Sequence, residues 1–396
     1  MFKKNQTIAI SAGGTGGHIF PALAVAKSLL KEGYKVIFFT SKNFYKYVRV
    51  DDIKIDGLVI VQLSCHNASR WKQFFMILRD LWTCRIISTR KVCLCIGFGG
   101  LVSFPPLLYG ILTRKKCIIH EQNAVLGLAN RLLLPFVRLC LLTFEETKKI
   151  PTAFKHKIVV VGNPVRQEIK DLVFNFDNPS VNYKAFFSLD DNINLSIIGG
   201  SQASKAFDEI VPLSISQLPD DIKQKLFVSH QCKEANVMIV KNIYNSANVK
   251  NDVRPFFFNI GELMRSSHLI IARSGATSIA EIASLGIPSI LIPLPTATDD
   301  HQFENAKILR DIGGTIVLEQ GILKPNILSK TLEDLFRKES SLFEMCKNTR
   351  KISQKYFYAD TKICMIINKL LRGDDNFNIQ IDTQDPSYIA DNRGLG

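Results

Sequence analysis

Short apolar runs of strand length recur along the chain, and between them apolar residues return at helical spacing. Thr7–Ser11, Lys35–Thr40, Leu58–Leu63, Val92–Ile96, Cys117–His120 and Ile158–Val161 form a first series. After a polar stretch from Asp171 to Asp191, the rhythm restarts with Leu195–Gly200, Leu269–Ala272, Ser289–Pro293 and Gly314–Leu318. Unbroken apolar strands are covered on both faces, and their alternation with helices is the βαβ rhythm of a mostly parallel sheet. The pattern predicts an α/β protein of two Rossmann-like domains facing each other across a cleft, with ligands at the carboxyl ends of both sheets. The first domain is expected over residues 1–165 and the second over 166–372, the last helices of the helical pattern Ile327–Leu371 being able to return to the first domain. Residues 373–396 are polar and aperiodic and are expected to form a disordered tail.

The sharpest local feature interrupts the first strand–helix unit. Gly13-Gly14-Thr15-Gly16-Gly17-His18 stands between the strand Thr7–Ser11 and the apolar-faced segment Pro21–Leu30, which is read as a helix with proline in its first turn. Strand, glycine turn and helix aim free backbone N–H groups and a helix N-terminus at an anion. The spacing is not Gly-x-Gly-x-x-Gly and no P-loop lysine follows, so dinucleotide and ATP sites are poorly supported. A plain Rossmann-like turn stays open as the simpler reading. Thr15 and His18 alone carry side-chain chemistry in this loop.

Composition narrows the class. The chain has 396 residues, and its 50 Lys and Arg exceed its 36 Asp and Glu by 14, which favours an anionic partner. The basic residues are dispersed, without an arginine-rich arm or zinc-finger spacing, which disfavours nucleic acid. Nine cysteines lie mostly in apolar runs without Cys-x-x-Cys, as expected of reduced core residues. No apolar run approaches the roughly 18 residues of a transmembrane helix, and the N-terminal run is too short for a signal peptide.

One helical stretch stands apart. Trp71, Phe74, Phe75, Leu78 and Trp82 recur at helical spacing, and between residues 67 and 91 six basic residues face one acid, Asp80. Two readings remain open: a core helix with a solvated basic face, or a helix laid on an anionic bilayer with its aromatic side in the lipid.

Further turns repeat the opening motif. Gly199-Gly200-Ser201-Gln202 and Arg273-Ser274-Gly275-Ala276-Thr277-Ser278 each end a strand and open a helix, a pairing suited to a diphosphate. Glu281, about two turns into the second helix, suits ribose hydroxyls. His120-Glu121-Gln122-Asn123-Ala124 and Gly162-Asn163-Pro164-Val165-Arg166 also stand at strand ends. In this order and spacing, from about Gln6 to Asn368, the motifs resemble the bacterial MurG family, whose members transfer N-acetylglucosamine from UDP-N-acetylglucosamine to lipid I and have the GT-B fold. The resemblance implies a peripheral enzyme at the cytoplasmic face of the inner membrane, with UDP-N-acetylglucosamine, lipid I and an anionic membrane surface as partners and no cofactor. It implies His18 as general base, with Glu121 the alternative. It implies donor contacts at Thr15, Gly16, Gly17, Asn123, Arg166, Ser201, Phe257, Gln302 and the run Ala276, Thr277, Ser278, Ile279, Ala280 and Glu281. Acceptor contacts are implied at Gly14, Gly99, Gly100 and Asn130. Leu101, Phe104, Ala203 and His301 depart from the usual family residues.

Glycosyl transfer needs a base for the acceptor hydroxyl and stabilisation of the departing UDP. Many transferases stabilise it with a metal held by Asp-x-Asp, which is absent from this sequence. Glycine-opened helices offer preorganised N–H donors instead, so no obligatory metal is expected. The rival readings are another lipid-acceptor GT-B enzyme, such as a diacylglycerol glycosyltransferase, and a non-catalytic nucleotide-sugar-binding module.

Overall fold

A computed structural model of the chain describes residues 6–50, 53–64, 70–174, 189, 192–199, 205–353, 356, 358–374 and 377. The expected tail and Ser201 therefore lie outside the described residues, apart from Gly373, Asp374 and Phe377.

Two all-parallel sheets carry the structure. The first contains β1 (Thr7–Ser11), β2 (Lys35–Ser41), β3 (Leu58–Leu63), β4 (Val92–Gly97), β5 (Lys116–Glu121), β6 (Leu139–Leu142) and β7 (Ile158–Val160), in the order β3-β2-β1-β4-β5-β6-β7. The second contains β8 (Ile193–Ile198), β9 (Leu226–Gln231), β10 (Lys250–Arg254), β11 (Leu269–Ala272), β12 (Ser289–Leu291) and β13 (Thr315–Val317), in the order β10-β9-β8-β11-β12-β13. Each sheet reverses direction once, between β1 and β4 and between β8 and β11. At such switch points the loops diverge and leave a crevice at the carboxyl edge. The glycine turns after β1, β4 and β11 lie there, as does Gly199 after β8.

The core strands explain their own burial. Ile8 and Ile10 of β1, and Leu94 and Ile96 of β4, pack under α1 (Gly16–Lys31), while Ala9 and Cys95 point to the opposite face and its helices. Three strands escaped the sequence reading: β6, β9 and β10. Within the helical pattern from Ile327 the described residues include the helices Pro325–Arg337, Glu339–Arg350 and Ala359–Arg372. The last of these leaves the second sheet and packs on the first. Its Ile363, Ile366, Ile367 and Leu370 join the same core as α1, and Asp360 receives Ser28 Oγ at 2.6 Å and the ammonium of Lys170. The chain thus crosses between the sheets twice, once near residues 161–167 and once before Ala359.

One boundary differs from expectation in an informative way. α1 begins at Gly16, so Pro21 lies in its interior and not in its first turn. The glycine loop is itself the first turn of the helix. Proline has no N–H for the carbonyl four residues back, which is Gly17. That carbonyl instead accepts the Thr277 hydroxyl from the opposite domain at 3.0 Å. A proline that looks like a helix start therefore releases the acceptor for a bridge across the cleft.

Candidate functional site

The crevices of the two sheets face each other across one cleft of about 740 Å³, a volume within the range of small-molecule sites. Among the expected site residues, Thr15, Gly16, Gly17, His18, Asn123, Arg166, Phe257, Ala276, Thr277, Ser278, Glu281 and Gln302 line it. Two helices point their N-termini into this space, α1 and the helix Ala276–Leu285, whose preceding Gly275 is extended. The first N–H groups of a helix have no acceptor within it; in α1 the His18 N–H already bonds the Thr15 carbonyl at 3.1 Å, which leaves those of Gly16 and Gly17 at the cleft.

Ile279 and Ala280 are not among the cleft-lining residues. Both side chains are fully buried in the core behind the helix, and the Ile279 N–H is bonded to the Gly275 carbonyl. Of the run 276–281, Ala276, Thr277 and Ser278, at N1 to N3, and Glu281 line the cleft. Gly14, Gly99, Gly100 and Asn130 are not among the cleft-lining residues. Gly99 and Gly100 have φ of 80° and 75° and pack against the His18 ring; a Cβ on Gly99 would stand 3.3 Å from His18 Cε1. Asn130 is buried, and its amide donates to the His120 carbonyl at 3.2 Å and to Glu121 Oε2 at 2.9 Å.

Glu121 is engaged on both oxygens. Oε1 accepts from the backbone N–H and side-chain amide of Asn123, and Oε2 from Gly127 N–H and Asn130. Four donors around a carboxylate that is 2% exposed make it the organiser of its loop. It fixes Asn123, whose own Oδ1 accepts from Asn305 across the cleft at 3.1 Å. Asn305 is wholly buried and also binds Ala124 N–H at 2.7 Å and the Ser274 carbonyl at 3.1 Å. This single amide ties the loop after β5 to the turn after β11.

Arg166 and Glu281 form a bidentate pair, Nε to Oε1 at 2.7 Å and Nη2 to Oε2 at 2.9 Å. Burial pushes the guanidinium toward deprotonation, and the Glu281 charge overcomes this, so its pKa ends above the ordinary value. Arg166 also stacks on Phe20, 4.6 Å from the ring centroid. Each carboxylate oxygen has a second lone-pair site, which leaves Glu281 able to accept ribose hydroxyls while held in place.

Several cleft residues escaped the sequence reading. Lys46 and Tyr47 follow β2, Lys233 and Glu234 follow β9, and Thr296–Thr298 precede Gln302. Arg273, 6% exposed, also lines the cleft; it donates to the carbonyls of Ile292 and Pro293 and to Gln320, and burial lowers its pKa to about 10. Its position directly before the Ser274-Gly275 turn was the available signal. Gln302 Oε1 accepts from Leu294 N–H at 3.0 Å. Beside it, Asp299 pairs with Arg131 and Lys149, and Glu304 pairs with Lys148, so ion pairs from the opposite domain hold the turn that carries Gln302.

Two parallel sheets of order 3-2-1-4-5-6, the first extended by a seventh strand, facing across a cleft entered by glycine-opened helices, define the GT-B fold. Models of the glycosyltransferase family 28 N-terminal and C-terminal domains match residues 8–140 and 194–361 respectively, and the chain belongs to this family. Among its relatives is the UDP-N-acetylglucosamine–N-acetylmuramyl-(pentapeptide) pyrophosphoryl-undecaprenol N-acetylglucosamine transferase of Wolbachia sp. subsp. Brugia malayi, 35% identical over 92% of this chain and 99% of the relative. The enzyme of the same description from Rickettsia prowazekii is 34% identical over 87% of this chain and 94% of its own length. The crystal structure of Acinetobacter baumannii MurG superposes with a TM-score of 0.71 at 29% identity, covering 92% of this chain and 99% of that one. The UDP-GlcNAc 2-epimerase of Neisseria meningitidis, at 16% identity and a TM-score of 0.63 over 93% of this chain and all of that one, shares the fold.

Proposed function

We propose that this chain transfers N-acetylglucosamine from UDP-N-acetylglucosamine to lipid I, giving lipid II with inversion at the anomeric carbon. The observation that carries the reading is the cleft itself, where His18 stands on one wall at the first glycine turn and the Ala276 helix start and Glu281 stand on the other. Glu281 would hold the ribose and the Ala276–Ser278 N–H groups the diphosphate. Gln302 and the Asn123 loop would hold the sugar. The acceptor hydroxyl oxygen then attacks C1 while the C1–O bond to the β-phosphate breaks. The electron pair leaves with UDP, and the hydroxyl proton passes to His18. The four donors on Glu121 favour a structural role for it over the alternative role as base. Release of UDP that depends on lipid I tests the reading.

The same proposal places the enzyme on the cytoplasmic face of the inner membrane as a peripheral protein. Among the described residues no helix is long and apolar enough to cross a membrane. α2 (Arg70–Thr83) exposes Phe75 at 66%, Leu78 at 48% and Trp82 at 66%. The side chains of Trp71 and Phe74 lie outside the described residues. Asp80, the one acid of the stretch, is buried and accepts the Ser64 N–H at 2.9 Å. Arg85 lies 4.0 Å from the Trp82 ring. Leu112, Leu128, Leu132 and Phe136 are also exposed, on or beside the helices Phe104–Leu112 and Leu128–Leu133, the first of which packs beside α2 and the second beside the first. Changing Phe75, Leu78 and Trp82 together to serine is expected to release the protein from anionic vesicles with little loss of stability, since all three are exposed. Each basic residue near the surface adds about 1 kcal/mol of attraction, screened by salt. Vesicle sedimentation at low and high salt is the measurement. Unchanged sedimentation of a folded triple variant would count against this face.

A further inference from the structure

A chain of hydrogen bonds runs from the interdomain crossing to the proposed base. His120 Nε2 lies 2.9 Å from the Gly162 carbonyl, the Gln122 amide nitrogen lies 3.0 Å from His120 Nδ1, and Gln122 Oε1 lies 2.9 Å from His18 Nδ1. His120 and Gln122 are 0% and 1% exposed, and the His120 ring packs against Phe98 at 5.2 Å between centroids. Neither His120 nor Gln122 therefore has bulk water as an alternative partner.

The direction of every bond is set by its first member. A backbone carbonyl only accepts, so His120 Nε2 carries a proton. Burial pushes the His120 pKa down to about 4, so the ring is neutral near pH 7 and its Nδ1 is a bare acceptor. Only the NH2 end of Gln122 can satisfy that acceptor, and the same NH2 also points at the His120 carbonyl, 3.4 Å away. The Gln122 oxygen is then turned to His18. An amide oxygen only accepts, so Nδ1 of His18 carries the proton. A neutral imidazole with its proton on Nδ1 has its lone pair on Nε2.

We infer that His120 and Gln122 are positioning residues that hold His18 in the tautomer whose Nε2 lone pair is available to take the acceptor proton. The inference rests on the reading of His18 as the base. Gly99, whose φ of 80° favours glycine, lies against this bond, and a Cβ there would stand 3.3 Å from His18 Cε1. Because the chain starts at Gly162, next to the interdomain crossing, a shift of that carbonyl would be felt at the base.

Nitrogen-15 NMR of the full chain labelled at histidine reads this directly, with His18→Ala identifying the resonance. Wild-type His18 is expected to show a protonated Nδ1 and a bare Nε2. In Gln122→Leu the Nε2–H form should become the main one, and kcat should fall at least about tenfold. That is short of the roughly 10⁴-fold that a wrong histidine tautomer costs a serine protease. The affinity for UDP should not change. Gln122→Glu keeps an acceptor toward His18 Nδ1–H and should retain the proton on Nδ1, although it gives up the donor to His120 Nδ1, which separates the bond to His18 from packing. A wild-type spectrum with the proton on Nε2, or a folded Gln122→Leu variant with an unaltered His18 spectrum, would overturn the inference. If the tautomer follows Gln122 as stated but His18→Ala keeps its kcat, the relay stands and the assignment of the base fails.

Discussion

His18→Ala is expected to lower kcat by about 10²–10⁴-fold, the span that a positioned general base contributes. Affinity for UDP should change little. His18 sits on the wall opposite the Ala276 helix, and the nucleotide groups are assigned to that helix, Glu281 and Phe257. A protonated base cannot accept the hydroxyl proton, so the wild-type kcat should fall on the acid side of its pH profile. That limb should be missing from the variant. Steady-state kinetics across pH, with UDP titrations on the same preparations, make the measurement. Near-normal kcat with the same acidic limb would remove His18 as base. Glu121 would then be the next residue to test, even though its oxygens already hold Asn123, Gly127 and Asn130.

Glu281→Ala and Gln302→Ala should separate the two ends of the donor. Hydrogen bonds to a charged group contribute about 1.5–3 kcal/mol, so loss of Glu281 should weaken UDP and UDP-N-acetylglucosamine alike by roughly 10–100-fold. The change also takes from the Arg166 guanidinium its bidentate partner at 2.7 Å and 2.9 Å, leaving it the Glu168 carboxylate at 3.1 Å. Some loss of thermal stability is therefore expected, and Glu281→Gln is the milder control. Gln302, bonded to the Leu294 N–H, is assigned to the sugar and not to the ribose. Its replacement should weaken the UDP-sugar and leave UDP almost untouched. Calorimetric titration with both ligands decides between them, and equal losses in the Gln302 variant would take that residue out of the sugar pocket.

What the sequence made legible follows from what each element buries. β1, β4 and β11 are covered on both faces, so Thr7–Ser11, Val92–Gly97 and Leu269–Ala272 stand out as apolar runs. β10 is an edge strand with Lys250, Asn251, Asp252 and Arg254 on it, and nothing in its pattern distinguishes it from a loop. β9 carries Ser229 and His230 in its interior; His230 is fully buried and bonded to Tyr244 at 2.8 Å, a pairing that period-two patterning does not reveal. β6 was hidden for the opposite reason, because the apolar residues from Leu132 run almost continuously into Leu139–Leu142. The glycine turns after β1 and β11 were legible as helix openings at the cleft because backbone geometry and sequence coincide there. The side-chain links were not. His18 meets Gln122 from 104 positions away and Asn305 meets Asn123 from 182, and both bonds exist only once two strand ends, or two domains, are brought together. Pro21 belongs with them, since its meaning depended on a threonine from the other domain.

The central claim is transfer of N-acetylglucosamine to lipid I. Its most direct measurement follows radiolabelled sugar from UDP-N-acetylglucosamine, with lipid I and diacylglycerol as separate acceptors in vesicles, with and without a chelator. Label is expected in lipid II, with one UDP released per sugar transferred, undiminished by the chelator and negligible with diacylglycerol. Label that goes to diacylglycerol in preference to lipid I, or UDP-sugar binding with no transfer to either, would contradict it.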